Sequence, residues 1–237
     1  MVSNDVSTYI KKNIEYIEAG DFKSLYANAP TPITGELTDV LYSSGIDPLL
    51  GSKIIYPSMF SYIIEPKDYL KNFTVPAGIV DICPLAFYAS AISSVTISKS
   101  VKTIRVGAFE DSDLESLYFV KESNLEVIYA EAFSSCKRLS GNLHFPDSVY
   151  NISNSAFQYT SLESITLPNN LIILGNHCFA NTLLKTVRIP RDIKSVGYGV
   201  FKDCKKLEEI EIPERLSGSE EEKRLSEGNQ AKIRTYR

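Results

Sequence analysis

The chain has 237 residues, 43% of them hydrophobic and 23% charged, with Gly and Pro at only 23 positions, which excludes a disordered or fibrous protein and suits one large domain. The formal net charge of −4 divides as −4 over residues 1–69, −1 over 70–213 and +1 over 214–237, so no segment has the basic excess that binding a nucleic-acid backbone requires. No apolar run approaches the eighteen or so residues of a membrane-spanning helix, so no membrane partner is expected.

The N-terminus, MVSNDVSTYIKKNIEY, has no apolar run behind a basic start, and a cytoplasmic location is expected from it. Cys83, Cys136, Cys178 and Cys204 follow no metal or redox spacing and are expected to be free, buried thiols. Residues 3–29 are expected to be helical. Ser3, Asn4 or Asp5 would cap the first helix, and Val6, Ile10, Ile14 and Ile17 would line one face. Asp21 to Ala29 reads as a further helix before the break at Pro30 and Pro32. Thr34 would cap a helix running through Leu41 and ended by Gly45, and Asp47 with Pro48 reads as another helix start. The segment from Tyr56 to Ile64 would open a degenerate rung, so residues 1–69 form a helical N-terminal cap.

From there the sequence repeats. Phe87, Phe109, Phe133, Phe157, Phe179 and Phe201 follow one another at gaps of 22, 24, 24, 22 and 22 residues. Each Phe comes after a small or apolar residue, and three residues later stands Ser90, Ser112, Cys136, Thr160, Thr182 or Cys204. Three columns stay apolar through seven rungs. One of them runs Phe73, Val95, Leu117, Leu143, Ile165, Val187, Ile210; its neighbour two residues on runs Val75, Ile97, Phe119, Phe145, Leu167, Ile189, Ile212. Spacing of two is strand periodicity with one buried face, and Pro76, Pro146, Pro168, Pro190 and Pro213 stop the strand at the same place. A second short apolar pair follows, as in Leu171 and Leu174. No rung buries these residues alone; stacked rungs do.

LESITLPNNLIILGNHCFANT and LKTVRIPRDIKSVGYGVFKDC resemble the BspA-like class of leucine-rich repeats over residues 70–213. The resemblance implies an α/β repeat fold, a leucine-rich-repeat solenoid of about seven rungs with parallel strands. Ser98, and Val120 to Asn124, depart from its proline. The stretch GELTDVLYSSGIDPLLG before Pro57 and Phe60 is similar to the front ends of short repeat proteins of bacterial viruses. Residues 214–237 are expected to cap the other end, with a helix near Ser219 and a last strand from Ala231 to Arg237.

Chemistry is sparse. His144 falls on a strand and His177 in a turn beside Cys178, and no phosphate loop or metal-ligand pair appears. The reading expects no catalytic residue, no metal and no cofactor. The acidic groups around Glu110 and Glu220 read as solvated faces. Function is therefore sought on the surface: a monomeric, non-catalytic module that binds a protein partner. The viral similarity implies an inhibitor of a host defence or metabolic protein. The alternative is a structural or adhesive part of a larger assembly. The first candidate face is an apolar cluster of Val127, Tyr150, Ile172 and Ile173, with Val80 nearby and Lys102 and Lys194 at its rim. The second is the outward strand column with Tyr118, His144, Thr166 and Arg188.

Overall fold

The computed structural model describes residues 4–29, 33–44, 46–65 and 67–237. Four helices come first: α1 (Asn4–Lys12), α2 (Ile14–Glu18), α3 (Phe22–Asn28) and α4 (Ile33–Ser43). The coil then begins with β1 (Ile54–Ile55), a short helix α5 (Asp68–Lys71), β2 (Phe73–Thr74), β3 (Asp81–Ile82), β4 (Ser94–Ile97), β5 (Thr103–Ile104), β6 (Ser116–Phe119) and β7 (Val127–Ile128). It continues through β8 (Ser140–His144), β9 (Asn151–Ile152), β10 (Ser161–Thr166), β11 (Ile173–Leu174), β12 (Thr186–Arg188), β13 (Ser195–Val196) and β14 (Glu209–Pro213). The result is a parallel solenoid of about seven turns.

The odd-numbered strands from β1 to β13 form one unbroken parallel sheet. In each, the second residue points inward: Ile55, Ile82, Ile104, Ile128, Ile152, Leu174 and Val196 are all buried. The longer, mostly even-numbered strands form the opposite face, divided into β2–β4–β6, β8–β10, and β12–β14 with a last strand, β15 (Lys232–Tyr236). The divisions fall between β6 and β8 and between β10 and β12. Val120 to Asn124 lengthen the chain before the first, and the β8–β10 pairing steps over Glu163, with Gly141 at φ +79 opposite Leu162.

The third side of each turn is built around the repeating Phe. The rings of Phe60, Phe87, Phe109, Phe133, Phe157, Phe179 and Phe201 stack with centroids 4.5 to 6.1 Å apart. Residues two before and two after each Phe have φ between 49 and 61. This left-handed alternation aims every second N–H along the solenoid axis. Thus Glu131, Phe133 and Ser135 donate to the carbonyls of Asn154, Ala156 and Gln158 at 2.9, 2.8 and 2.8 Å. A third hydrogen-bond ladder therefore joins the rungs beside the two sheets. The small residue three after Phe also has a role: the hydroxyls of Ser90, Thr160 and Thr182 donate to the carbonyl of their own Phe at 2.8 to 2.9 Å. Phe87 O also accepts from Ser90 N–H at 3.3 Å, and Phe179 O from Cys204 Sγ at 3.1 Å, so these buried acceptors are doubly held.

The N-terminal cap differs from the expected single stripe. Asn13 interrupts the helix, taking Tyr9 O with its side chain at 2.9 Å, and α2 buries no residue. Val6 is buried while Ile14 is 46% exposed. The helix expected over Asp21 to Ala29 is α3, capped by Asp21, which accepts from Ser24 N–H at 3.1 Å. Thr34 lies inside α4, not at its cap. Asp47 accepts from Leu49 N–H at 2.9 Å in a turn, so no helix starts there. Ser3, residues 30–32, Gly45 and the side chain of Asn4 lie outside the described residues. The cap meets the coil through aromatic contacts: Tyr26 stacks on Tyr56 at 5.4 Å, and Tyr42 on Phe60 at 6.2 Å. Gly35 lets α4 approach the Ser61 carbonyl, where a Cβ has no room.

At the other end, Ser219 caps α6 (Glu220–Ser226), accepting from Glu222 N–H at 3.2 Å. Arg224 donates to Val196 O at 3.0 Å and lies over Tyr198. The Glu227 carboxylate accepts from Gly199 N–H at 3.1 Å, and Gly228 O from Asp203 N–H at 2.9 Å. These groups take donors that the turn ladder leaves over at its last rung.

Candidate partner-binding site

Beside the unbroken short-strand sheet, one outward residue per rung forms a column through Val80, Lys102, Glu126, Tyr150, Ile172 and Lys194. Backbone bonds of 2.8 to 3.0 Å fix the order, each residue donating to the carbonyl of the one before it. Tyr150 and Ile172 are therefore neighbours by construction. Tyr150 is 40% exposed, Ile172 is half-buried and Lys194 is exposed. An open groove of about 870 Å³ runs alongside, lined also by Asp147, Asn170, Asp192 and Arg215.

Not all of the expected cluster comes together. Val127 is only 6% exposed and leaves the candidate surface. It pairs with Thr103 on one side and Asn151 on the other, and its three-carbon side chain does not rise above the strands that flank it. Ile173 is half-buried in that same second column, with Asn151 between it and Val127. Lys102 is exposed but sits two rungs from Tyr150, held at 3.4 Å from Glu126. The groove's polar wall was missed in the sequence. Its signal lies in the two positions after the strand-ending proline: Asp147 stands one after Pro146, and Asn170, Asp192 and Arg215 stand two after theirs.

The second face is exposed throughout: Tyr118, His144, Thr166 and Arg188 all point outward from the longer strands. Arg188 is engaged, with Glu211 at 2.7 Å and the Tyr236 ring 3.7 Å from its guanidinium carbon. The column forms a sheet surface of mostly small polar groups.

All four cysteines are free and buried. Burial pushes the thiols of Cys83 and Cys136 up to about 11 and about 12, and that of Cys178 higher still, so none offers a thiolate at neutral pH. His177 packs over Gly199 on the turn while Cys178 points into the core. Among the described residues no three His, Cys, Asp or Glu side chains are grouped to hold a metal ion. Among the described residues no helix is long and apolar enough to cross a membrane.

The chain matches a family described as BspA type leucine rich repeat region, over residues 53–182 and again over 126–223. No curated protein matches it. Among solved structures, a leucine rich cell surface protein from Faecalibacterium prausnitzii is 22% identical with a TM-score of 0.46, covering 59% of this chain and 46% of its own. The pneumococcal vaccine antigen PcpA is 16% identical with a TM-score of 0.36, covering 78% and 74%. A leucine-rich repeat protein from Bacteroides ovatus is 16% identical with a TM-score of 0.33, covering 70% and 61%. The chain thus spans less than half the length of the Faecalibacterium protein.

Proposed function

The chain belongs to the BspA-type leucine-rich-repeat family, and from that premise we propose that it holds a protein partner, without catalysis, in the groove beside Tyr150 and Ile172. The observation that carries this reading is an aromatic and an aliphatic side chain reaching solvent side by side, between Lys194 and Arg215 and the carboxylates of Asp147 and Asp192. An apolar centre with a charged rim is the usual build of a protein interface. The unbroken short-strand sheet holds that centre rigid, so little order has to be gained on binding. A monomeric, cytoplasmic protein with reduced thiols accords with this reading. The narrower expectation, a viral inhibitor of a host protein, draws no support from the matches, which come from bacteria.

Affinity capture followed by mass spectrometry, run in parallel on the wild type and Ile172→Asp, tests the site. The variant is expected to bind a captured partner at least tenfold more weakly, about 1.4 kcal/mol, with an unchanged melting temperature. Equal binding, or a variant that unfolds, assigns Ile172 to packing. The alternative, a structural or adhesive part of an assembly, requires self-association, which light scattering of the purified protein reads directly.

A further inference from the structure

Among the described residues the long-strand face ends on β15, with one side of that strand unpaired. Val187 and Ile210 are buried, but Ile233, the next residue of that column, is only half-buried. Ile189 and Ile212 are buried, yet Thr235, next in theirs, is exposed. β15 is the edge strand of its sheet. Lys232 donates to Glu208 O at 2.8 Å. Because residues of a parallel strand bond alternately to the two sides, Lys232, Arg234 and Tyr236 bond back toward β14, while Ile233 and Thr235 turn their N–H and C=O outward.

Charge gives this edge a preference. Lys232 lies beside Glu209 and Arg234 beside Glu211. Glu211 is already held by Arg188 at 2.7 Å, and Arg234 reaches Glu209 only at 3.9 Å. The two cations are therefore loosely neutralised from within. A two-fold pairing of β15 with its own copy sets arginine against arginine and is disfavoured.

We infer that β15 docks an extended acidic segment of another protein, laid parallel to it with the pattern acidic, apolar, acidic. The acidic side chains sit against Lys232 and Arg234, and the apolar one covers Ile233. The protein contains its own template for this pairing, because β14 presents Glu209, Ile210 and Glu211 to the inner side of the same three residues. Backbone bonds supply the affinity and the alternating charges set the register. The competing reading is that lysine and arginine merely guard an edge against association.

A synthetic peptide with the sequence LEEIEIP, residues 207–213 of this chain, is the probe, titrated into the full chain. Binding is expected to saturate and to weaken with salt. Amide exchange is expected to slow about tenfold at Ile233 and Thr235, and to stay unchanged at Lys232 and Arg234, whose amides already face β14. The charge-reversed peptide LKKIKIP should not bind. Thr235→Pro removes one outward N–H at a place where an edge strand tolerates proline, and should weaken binding about tenfold in a protein that still melts normally. Ile172→Asp should bind the peptide as the wild type does, which keeps this edge separate from the groove. No binding at millimolar peptide, or protection at other amides, overturns the inference. Protection that appears with rising protein concentration and no peptide assigns the edge to a second copy and also overturns it.

Discussion

A left-handed φ costs a residue with a Cβ about 1–2 kcal/mol, and the turns of this coil hold twelve such residues besides Gly107 and Gly199. The cost is met because each of these conformations aims a backbone donor at the next rung. Glycine adopts the same φ without strain but gains unfolded freedom, so Ser155→Gly is expected to raise stability by a net of about 0.5–1 kcal/mol. The reverse change, Gly199→Ala, is expected to cost about 1–3 kcal/mol, since its Cβ also meets the His177 ring at 2.7 Å. Denaturant titration of the two variants measures both signs. Ser155→Gly falling below the wild type would mean that the serine is favoured there for another reason. A second residue is strained electrostatically. Burial, then Glu131 and Asp111, push the Glu110 carboxyl above its ordinary 4.5. A raised acid penalises the fold when ionised, and the penalty develops as pH rises from 4.5 through the raised value. Glu110→Gln should therefore raise the melting temperature at neutral pH, and the gain should vanish below pH 4.5.

Among the elements, the Phe ladder concentrates the packing. Phe157 stacks 5.0 Å from Phe133 and 5.4 Å from Phe179, and meets Phe145 edge-on at 5.4 Å. Phe157→Ala is expected to cost about 3–5 kcal/mol, measured by chemical unfolding, because its neighbours on both sides are held by backbone ladders and cannot close the gap. A loss below about 1 kcal/mol would show a ladder that relaxes around the cavity. The period, the inward columns and the C-terminal helix and strand were legible in the sequence, since each is a local pattern of apolar spacing or capping. Phe60 was read as part of a degenerate rung but not as a member of the ladder, because α5 stretches its distance to Phe87 to 27 residues. The turn conformation was hidden because Leu85, Glu131 or His177 carry no mark of a left-handed φ, which is imposed by bonds to another rung. Of the candidate site, Tyr150, Ile172 and Lys194 stood out as unusual residues in a polar column. Val127 did not separate from them, because two-residue strands leave burial to the height of their neighbours.

Over the whole molecule the two faces differ in continuity. The short-strand sheet and the turn ladder cross every rung boundary, whereas no strand ladder joins β6 to β8 among the described residues. Phe145 donates to Thr166 O, so by alternation Asn142 and His144 turn their amides toward β6, where only Ser140 bonds, to Glu115 O at 3.4 Å. Tyr118 holds the same outward position as His144, but inside the β4–β6 ladder. In a solenoid each boundary carries its own stability, and amides that cross a broken one open more easily. Native-state hydrogen exchange should therefore find the amides of Asn142 and His144 exchanging at least about tenfold faster than that of Tyr118. Phe109, which crosses the same boundary through the turn ladder to Ala132 O at 2.8 Å, should be as slow as the core. Equal protection of His144 and Tyr118 would rule out a functional break. With the break present, the long-strand face can flex between β6 and β8, while the side that carries Tyr150, Ile172 and the groove stays stiff. A rigid face suits a partner that must find its contacts already in place.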